Sequence, residues 1–596
     1  MGEIDGILLY RLFSAGTKRL GEEKRELDRI NVFPVADGDT GSNMAYTLRS
    51  AMASSTEHAS AAVVAARLSD AALAGARGNS GMILAQFMAG FREGIAGRAA
   101  LSLDSFVSSM ENACARAYQA LSHPVEGTML TAIRAWTEGL MHARSQSDSL
   151  SGLLAAAHPK LSEAVRHTPD ELAALKEAGV VDAGAKGFAA FIEGFRDYAA
   201  GRLSETDLAA EGDAELPPID RSEEPAAAPP DLRYCCEFLL RARTGETLDP
   251  QAIRTLLERY GDSVIVAGGG KAARAHIHGD DPGQLAALLS RVAVIEDQKV
   301  DDMALQYLDA HERLSDVAIL TDSACDLSSE LVLGHRIHVV PLSVNFGEEA
   351  YLDKLTMTPA RFYEEAESSR TFPTSSQPSA QRFRRVYEAL AARYSSIIAI
   401  HLSASMSGTF EASAREADAV ARNGRTRIDV YDSRHLSGSL GLIVLKAAEM
   451  AAAGASHDDI LAALPGLSLS AENLVSVRTL DYMVRGGRVS PLKGALAKAL
   501  NLKPIVSVDK RGKSVLYGKS FRIRNNESKI IAMAKAMAAE RGIGRWAVVH
   551  AHAEREAKDF AARMESALGS APAYLCEVSC IVGLNSGRGA VSFVCL

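Results

Sequence analysis

The amino-acid sequence predicts a multidomain fold with an all-α N-terminal part, a small α+β middle part and a C-terminal α/β part. Its 596 residues exceed what one hydrophobic core usually supports. Helical patterns dominate the first third, whereas strand and helix patterns alternate from Val317 onward. Between them, a segment rich in acidic residues, Ala and Pro has the composition of a linker. The predicted divisions are residues 1–202, 203–231, 232–312 and 315–596.

Composition and charge exclude several classes of protein. The hydrophobic content of 47% and the charged content of 23% are ordinary for a soluble globular protein. A net charge of −9, without a basic patch that contains aromatic residues, argues against a nucleic-acid binder. The N-terminus lacks the pattern of a signal peptide, and no apolar run is long enough to span a membrane. Seven cysteines do not form a disulfide framework, so we expect a cytoplasmic protein.

The first candidate site is the segment 31–43, NVFPVADGDTGSN, which places Asp37 and Asp39 on either side of a glycine. Two carboxylates in a tight loop can both face a hard cation, and Mg²⁺ prefers a few carboxylate oxygens together with substrate phosphates. The glycines that follow allow backbone N–H groups to approach phosphate oxygens. A metal–nucleotide site and a simple polar Asp-Gly turn are equally favoured by this segment alone.

Three further glycine-containing breaks separate predicted helices. They are 75–82 (GARGNSGM), 126–131 (EGTMLT) and 181–187 (VDAGAKG). The first lies between helical patterns at 59–74 and 82–91, and a Gly/Ser loop that leads into a helix N-terminus can bind an anion. Helix capping alone explains each break equally well.

In this order the four segments resemble the DhaL-type, nucleotide-binding subunit of dihydroxyacetone kinases. They resemble the kinase subunit of bacterial fatty acid kinase more closely, over roughly residues 1–200. The resemblance implies an all-α barrel of about eight antiparallel helices that binds ATP with two Mg²⁺ ions. It implies that Asn31, Asp37 and Asp39 are metal ligands and that both aspartates are catalytic. The residues implied to contact the nucleotide are Asn43, Ser80, Gly81, Thr128, Asp182, Gly184 and Ala185.

Asn31 departs from the dihydroxyacetone kinase pattern, which has a third aspartate at this position. The fatty acid kinase group also has Asn here. A neutral amide oxygen is a weaker Mg²⁺ ligand than a carboxylate, so we expect a lower metal affinity.

The middle part contains a candidate zinc site. His276 and His278 lie two residues apart on a predicted strand and therefore face the same side. Another predicted strand begins with Tyr234-Cys-Cys-Glu-Phe238. One Cys and two His can provide three ligands for Zn²⁺ and leave a fourth position open. The spacing is not that of a standard zinc finger, and such a His pair is more often structural or solvated.

This segment also resembles the middle domain of the fatty acid kinase subunit, in the patterns Tyr-Cys-x-Glu-Phe and His-x-His-x-Asp-Asp-Pro-Gly. The resemblance implies that Cys235, His276 and His278 bind Zn²⁺. The adjacent Cys236 leaves the choice of cysteine open. Whether the zinc is structural or takes part in chemistry is also left open.

The C-terminal part reads as an α/β domain with a largely parallel sheet. Buried strands are predicted at 317–320, 337–342, 397–402 and 428–431. In such sheets, ligands bind beyond the carboxyl ends of the strands. Polar segments follow three of them, at 321–326, 403–409 and 432–433. Capping of helices by the Ser-rich loops is compatible with ligand binding.

Residues 316–596 resemble the DegV family closely. The shared segments are Thr321-Asp-Ser, Pro341-Leu, Thr374-Ser-Ser-Gln-Pro-Ser379, Ser405-Met-Ser-Gly-Thr-Phe410, Asp432-Ser433, Arg485-Gly-Gly-Arg488 and Leu502-Lys-Pro504. The resemblance implies a two-lobed α/β fold that holds a long-chain fatty acid in an apolar tunnel and presents its carboxylate for phosphorylation. The residues implied to bind the fatty acid are Ser375, Ser376, Ser407, Gly408, Arg488 and Asn585.

One part of the DegV pattern is altered. The family commonly has a Gly-x-His-x-Gly-Pro-Gly stretch whose His contacts the carboxylate, and the matching run here is Gly583-Leu-Asn-Ser-Gly-Arg-Gly589. Asn585 replaces the His and cannot carry charge, whereas Arg588 replaces the Pro and offers a cation nearby. We expect the carboxylate contacts and the ligand preference to differ accordingly.

The sequence as a whole predicts a kinase and a lipid carrier in one chain, which convert ATP and a fatty acid to an acyl phosphate and ADP. One alternative is a non-catalytic lipid-binding protein that senses nucleotide. Another is a kinase of a small polyol or ketone such as dihydroxyacetone. A serine hydrolase is disfavoured, because the loop at Ser407 lacks the first Gly of the nucleophile elbow.

The partners expected from this reading are a long-chain fatty acid and ATP, without nucleic acid. The resemblance leaves open a homodimer, transient contact with a membrane, and an acyltransferase that receives the acyl phosphate.

Overall fold

The computed structural model describes residues 3–33, 38–121, 124–209, 229–369, 372–424, 426–486 and 502–596. The chain forms two compact units, Met1–Gln306 and Tyr307–Leu596. The first unit contains both the helical part and the middle part predicted from the sequence.

The helical part of the first unit is a closed ring of helices. Its helices are α1 (Gly6–Arg29), α2 (Thr40–Ala53), α3 (Ala61–Gly75), α4 (Gly78–Ile95), α5 (Leu103–Gln119), α6 (Met129–Arg144), α7 (Leu150–Glu171), α8 (Ala173–Ala178), α9 (Ala183–Ala199) and α10 (Glu205–Ala209). Successive helices from α1 to α7 pack side by side, and α9 packs against α6, α7 and α1. This arrangement confirms the predicted all-α fold.

Close approach of α1 and α9 closes the ring. A Cβ atom on Gly194 of α9 would lie 2.3 Å from the carbonyl oxygen of Ala15 in α1, so only glycine allows this packing. Phe13 lies inside the ring, with its ring centroid 5.1 Å from that of Phe195 and 5.9 Å from that of Phe91. These apolar contacts hold the helices around one core.

The middle part is a four-stranded antiparallel sheet with two helices. The elements are β1 (Tyr234–Arg241), α11 (Pro250–Leu257), β2 (Asp262–Gly269), β3 (Ala272–Gly279), α12 (Pro282–Val292) and β4 (Val294–Asp302), and the strand order is β2-β3-β1-β4. Ile265 and Ala267 of β2 belong to the same apolar core as the helices, and the Gln86 side chain donates a hydrogen bond to the Val266 carbonyl oxygen at 3.2 Å. The middle sheet therefore packs directly on the helical ring.

The predicted linker is described only at its two ends. Helix α10 lies in its first part, where Glu205 forms an ion pair with Arg11 of α1. Residues 210–228 lie outside the described residues.

The first lobe of the second unit is built on a parallel sheet. Its elements, with the helix that leads into it, are α13 (Met303–His311), β5 (Val317–Asp322), α14 (Ser329–Gly334), β6 (Ile337–Val340), β7 (Ser343–Phe346), β8 (Glu349–Leu352), α15 (Pro359–Ser368), β9 (Thr374–Ser376), α16 (Ala380–Ala391), β10 (Ser396–His401), α17 (Thr409–Asn423) and β11 (Arg427–Asp432). The parallel order is β11-β10-β5-β6, and a small antiparallel sheet has the order β8-β7-β9. The four buried strands predicted from the sequence are confirmed.

The second lobe has a mixed six-stranded sheet. Its elements, with the two helices that precede it, are α18 (Ser437–Ala452), α19 (His457–Ser470), β12 (Glu472–Ser476), α20 (Asp481–Arg485), β13 (Lys503–Val508), β14 (Ser514–Ser520), α21 (Ile523–Arg541), β15 (Trp546–His550), α22 (Glu554–Leu568), β16 (Leu575–Glu577), α23 (Cys580–Ser586) and β17 (Val591–Cys595). The strand order is β14-β13-β12-β17-β15-β16. Among the described helices, none is long and apolar enough to cross a membrane.

Candidate functional site

The first candidate segment leads into the N-terminus of α2. Asp39 precedes the helix, and its carboxylate accepts a hydrogen bond from the Asn43 side-chain amide at 2.7 Å. The side-chain oxygen of Asn31 accepts a hydrogen bond from the Thr40 hydroxyl at 2.8 Å. Both residues are thus attached to the first turn of one helix. Asp37, the third predicted metal ligand, lies outside the described residues.

The second segment packs its glycines onto α2. Gly78 has a φ of +57°, and a Cβ atom there would lie 2.3 Å from the side-chain nitrogen of Asn43. A Cβ atom on Gly81 would lie 2.4 Å from the Thr47 hydroxyl oxygen. Any larger residue at either position would separate α4 from α2. The start of α4 therefore lies directly beside the residues that hold Asp39.

The third and fourth segments cap helices and meet the second segment. Thr128 caps α6 by accepting from the Leu130 N–H at 3.3 Å, and Asp182 caps α9 by accepting from the Ala185 N–H at 2.7 Å. A Cβ atom on Gly184 would lie 3.1 Å from Met129 Cβ and 3.5 Å from Ser80 Oγ. Capping, one of the two readings of these segments, is correct for Thr128 and Asp182.

Together, the N-termini of α2, α4, α6 and α9 converge at one end of the ring. Each N-terminus presents unpaired N–H groups and the positive end of a helix dipole. Four of them in one place favour a strongly negative ligand such as a polyphosphate. Burial raises the pKa of Asp182 to about 7, although the surrounding N–H groups oppose the shift.

The three candidate zinc ligands lie together on the middle sheet. The ligand atoms of Cys235, His276 and His278 are all within 4.8 Å of one another, and Cys235 Sγ lies 3.9 Å from His276 Nδ1. His276 Nε2 is buried without a hydrogen-bond partner among the described residues. Burial lowers the pKa of His276 to about 3, so its imidazole is neutral, as a metal ligand must be. These residues fit a zinc ion.

The structure separates the two adjacent cysteines. Cys236 is paired with Ile277 and Val300 across the sheet and is fully buried on the opposite face from Cys235. Only Cys235 lies beside the two histidines. Alternation of side chains along a strand explains the difference.

A polar face of the middle sheet lies against the start of α4. Glu237 accepts a hydrogen bond from the Gly78 N–H at 2.8 Å and pairs with the Arg274 guanidinium at 3.0 Å. Arg274 also donates to the Ala74 carbonyl oxygen at 2.7 Å. Burial would raise the pKa of Glu237, but Lys299 and Arg274 oppose this and lower it to about 2.

Sequence reasoning missed Glu237, Arg274 and Lys299. No motif in the sequence marks them as a group. Their proximity depends on which residues of β1, β3 and β4 are opposite each other, and that register requires the assembled sheet.

Two of the candidate fatty-acid loops in the second unit are in contact. Ser375 and Ser376 lie on the exposed strand β9, and the Ser407 hydroxyl lies 2.8 Å from that of Thr409. A Cβ atom on Gly408 would lie 2.3 Å from Gln377 Oε1, which brings the two loops together. Arg488 lies outside the described residues.

Asn585 lies in α23, where unpaired polar atoms collect. Its side-chain nitrogen donates to the Ile581 carbonyl oxygen at 3.1 Å. Its side-chain oxygen, the Ser586 hydroxyl and the Tyr363 hydroxyl are buried without a partner among the described residues. Such atoms are costly unless a ligand or water satisfies them. Among the same residues, Asn585 forms no hydrogen bond with the candidate serines.

Arg588 does not take the place of the missing histidine charge. Its guanidinium pairs with Glu367 at 2.6 Å, and both side chains are about half exposed. The buried polar group at this position is therefore the neutral amide of Asn585.

A Ser-His-Asp chain occurs in the second unit at an unexpected place. The Ser413 hydroxyl lies 2.7 Å from His401 Nε2, and His401 Nδ1 lies 3.0 Å from the Asp322 carboxylate. All three side chains are fully buried, so no substrate can reach the hydroxyl. This chain connects β5, β10 and α17 and is structural.

Family models match three consecutive segments of the chain. They are the DAK2 domain over residues 34–197, the middle domain of fatty acid kinase A-like proteins over residues 231–310, and the DegV family over residues 316–596. This is the class of chain in which a DAK2-type helical part, a fatty acid kinase middle domain and a DegV part occur in one polypeptide. The resemblances predicted from the sequence are confirmed.

Two curated relatives match part of the chain. An uncharacterised protein from Staphylococcus epidermidis is 30% identical over 317 residues, which are 52% of this chain and 56% of the relative. Protein YloV from Bacillus subtilis is 30% identical over 317 residues, which are 51% of this chain and 56% of the relative. The match therefore spans little more than half the length of these relatives.

Two solved structures match the second unit. DegV, a fatty acid binding protein from Bacillus subtilis, is 29% identical and covers 47% of this chain and 99% of its own, with a TM-score of 0.43. A fatty-acid-binding DegV family protein from Thermus thermophilus is 28% identical and covers 47% of this chain and 98% of its own, with a TM-score of 0.42.

Proposed function

We propose that this chain is an ATP-dependent kinase that phosphorylates the carboxylate of a fatty acid. The observation that carries the proposal is the convergence of four helix N-termini beside Asn31 and Asp39, in a chain that also contains a DegV part. Matches to the DAK2 domain and to the middle domain of fatty acid kinase A-like proteins support the kinase class. The DegV part supports a lipid acceptor.

The donor set suits a magnesium–nucleotide complex. Mg²⁺ bound to the phosphates of ATP supplies charge neutralisation during phosphoryl transfer. Asn31 and Asp39, together with Asp37, would hold the ion through hard oxygen ligands. The N–H groups at the start of α4 would orient phosphate oxygens and stabilise the charge that develops on them. Asn43, Ser80, Gly81, Thr128, Asp182, Gly184 and Ala185 are proposed to line the same site.

The proposed reaction needs no general base. A fatty acid carboxylate is ionised at neutral pH, so its oxygen can attack the γ-phosphorus directly. The bond between that phosphorus and the bridging oxygen of ADP breaks as the new bond forms. The products are an acyl phosphate and ADP, and catalysis consists of positioning and electrostatic stabilisation.

We propose that the helical ring and the middle sheet act as one kinase unit. Packing of β2 into the helical core and the bond between Glu237 and Gly78 support this. Residues 1–202 and 232–312 remain distinct domains in this proposal, with 203–231 as their linker. Cys235, His276 and His278 would hold Zn²⁺ on the face that contacts α4.

Residues 315–596 are proposed to carry the fatty acid. Ser375, Ser376, Ser407 and Gly408 would bind its carboxylate, with Arg488 near the entrance and Asn585 in place of the family histidine. The buried, unpaired oxygen of Asn585 supports a polar ligand group at α23. Fusion with the kinase would raise the local concentration of the carrier.

Exposed residues on the β13–β14 hairpin support brief contact with a membrane. Leu516, Tyr517 and Phe521 are 62%, 53% and 68% exposed. Residues 502–529 contain eight basic and two acidic residues in a chain whose net charge is −9. Exposed aromatic and aliphatic groups among basic residues favour an anionic lipid surface. The proposal also includes a cytoplasmic location, a homodimer and an acyltransferase that accepts the product.

A lipid-binding sensor without kinase activity is the second candidate. The neutral Asn585 favours it, because the position lacks the charge that the DegV pattern provides. A kinase of dihydroxyacetone remains the third reading, since the DAK2 match is common to both kinases.

Hydroxylamine trapping of acyl phosphate separates these functions. Purified protein is incubated with ATP, Mg²⁺ and either palmitate, oleate or dihydroxyacetone. A hydroxamate that requires Mg²⁺ and fatty acid supports the proposal, and Asp39→Asn should remove it while lipid binding persists. Asp70→Asn is the control, because Asp70 is an exposed partner of Arg92. Bound lipid without hydroxamate would favour the sensor, and ATP consumption with dihydroxyacetone alone would favour the third reading.

A further inference from the structure

We propose that Lys299, on strand β4 of the middle sheet, is a positioning residue of the metal–phosphate site and supplies it with a fixed positive charge. This inference rests on the proposed ATP-dependent function. It adds to the site a cation from outside the helical ring.

The register of the middle sheet places Lys299 on the polar face. Glu237 of β1 is opposite His276 of β3 and Lys299 of β4, whereas Cys235 is opposite His278 and Asp301. Residues directly opposite in neighbouring strands share one face of a sheet. Two rows of three polar residues therefore cover this face.

The polar face contacts the glycine segment that precedes and begins α4. Glu237 bonds to the Gly78 N–H, and Gly78 packs against the side-chain nitrogen of Asn43. Asn43 in turn donates to the Asp39 carboxylate. A short path of direct contacts thus leads from the strand beside Lys299 to a candidate metal ligand.

Three carboxylates act on the Lys299 ammonium group. Asp301 is the nearest, with an N–O distance of 2.5 Å, and Glu237 and Asp39 also act on it. They keep the pKa of Lys299 raised, against the effect of burial, so the group stays charged. Its side chain is 20% exposed, which leaves it accessible to a ligand.

The two carboxylates of the sheet do not by themselves require this lysine. Glu237 already has the Arg274 guanidinium and the Gly78 N–H as partners. The Asp301 side chain is 30% exposed and can be hydrated. Asp39 is the remaining carboxylate, and it belongs to the site proposed for the metal and phosphates. A flexible, compact ammonium group is suited to phosphate oxygens at such a site.

The test compares Lys299→Met, Lys299→Arg and a matched control in the full-length protein. Lys271→Met is the control, because Lys271 is exposed at the turn between β2 and β3 of the same sheet. The measurements are the Kd for Mg-ATP by calorimetry, hydroxamate formation, the unfolding midpoint and the bound zinc content. We expect Lys299→Met to raise the Kd about fivefold or more and to lower kcat/KM for ATP at least tenfold. Lys299→Arg should recover most of both losses.

The KM for fatty acid, the unfolding midpoint and the zinc content should remain unchanged in all variants. Unchanged Mg-ATP binding and turnover in Lys299→Met would overturn the proposal. A lower midpoint or lost zinc in both Lys299 variants would also overturn it and assign the lysine a structural role. If the wild-type protein binds Mg-ATP but forms no hydroxamate, the fatty acid kinase proposal fails, and the Kd comparison still decides the role of Lys299.

Discussion

Replacement of Glu237 by Gln tests whether the middle sheet is an integral part of the kinase unit. The Glu237 side chain is 1% exposed and that of Arg274 is 6% exposed. The substitution keeps the shape of the side chain and an oxygen that can accept from the Gly78 N–H. It removes the negative charge, so the buried guanidinium of Arg274 loses its ionic partner.

The size of the effect follows from this burial. Removal of one partner from a buried ion pair costs about 3–5 kcal/mol, because the other charge stays buried without compensation. Arg274 retains its bond to the Ala74 carbonyl oxygen, and Gly78 retains an acceptor. We therefore expect a loss at the lower end, about 3 kcal/mol in the free energy of unfolding of the first unit.

The chain offers a fluorescence assay for each unit. It has two tryptophans, Trp136 in the first unit and Trp546 in the second, and both are buried. In a Trp546→Phe background, Trp136 reports the first unit alone during urea unfolding. A fall in the midpoint with an unchanged m-value would indicate a loss of stability.

An exposed ion pair on the same sheet provides the control. Glu296 pairs with Arg241, and both side chains are about 40% exposed. Glu296→Gln should cost less than about 1 kcal/mol, since water replaces the partner. Equal, small losses for Glu237→Gln and Glu296→Gln would refute the reasoning, because they would mean that Arg274 is not buried against the ring.

Three further results are expected. Burial raises the pKa of Asp353 to about 6, so the folded state binds this proton more tightly than the unfolded chain. Its contribution to the second unit is largest below about pH 4 and is lost by about 3 kcal/mol as the pH rises towards 6, a slope that Asp353→Asn should remove. Cys235→Ala should lose the zinc that native mass spectrometry detects, whereas Cys236→Ala should retain it. Joint replacement of Leu516 and Tyr517 by Ser should reduce binding to phosphatidylglycerol vesicles about tenfold.

Each of these results has an outcome that contradicts it. A parallel pH dependence in Asp353→Asn and the wild-type protein would assign the slope to other groups. Equal zinc loss in both cysteine variants would mean that the fold, rather than the ligand, had been damaged. Leu469 is 58% exposed outside the hairpin, so an equal effect of Leu469→Ser would show that vesicle binding is not specific to the β13–β14 surface.

The type and order of the elements were predictable from local patterns. Strands such as β5 and β10 were visible because a continuous apolar run of β-branched residues fits a buried strand. The DegV and DhaL-type segments were recognisable because their loops use Gly, Ser and Asp at characteristic spacings. Capping by Thr128 and Asp182 was also foreseeable, since both residue types favour helix N-termini.

The association of the middle part with the ring was not predictable. The sequence indicated a separate segment, 232–312, whereas the structure buries Ile265 and Ala267 of that segment in the helical core. The choice between Cys235 and Cys236 was also open, and strand alternation in the assembled sheet distinguishes them. In the same way, Arg588 could not be known to pair with Glu367 at the surface.

By itself, the sequence determined which helices and strands form and which loops carry chemistry, because these depend on neighbours within a few positions along the chain. Only the tertiary structure decided that Glu237 meets Gly78, residues 159 positions apart, and that Lys299 lies opposite Glu237. Such contacts depend on strand register and on packing between distant segments. A one-residue shift of register would turn these side chains to the other face, and nothing local in the sequence specifies that choice.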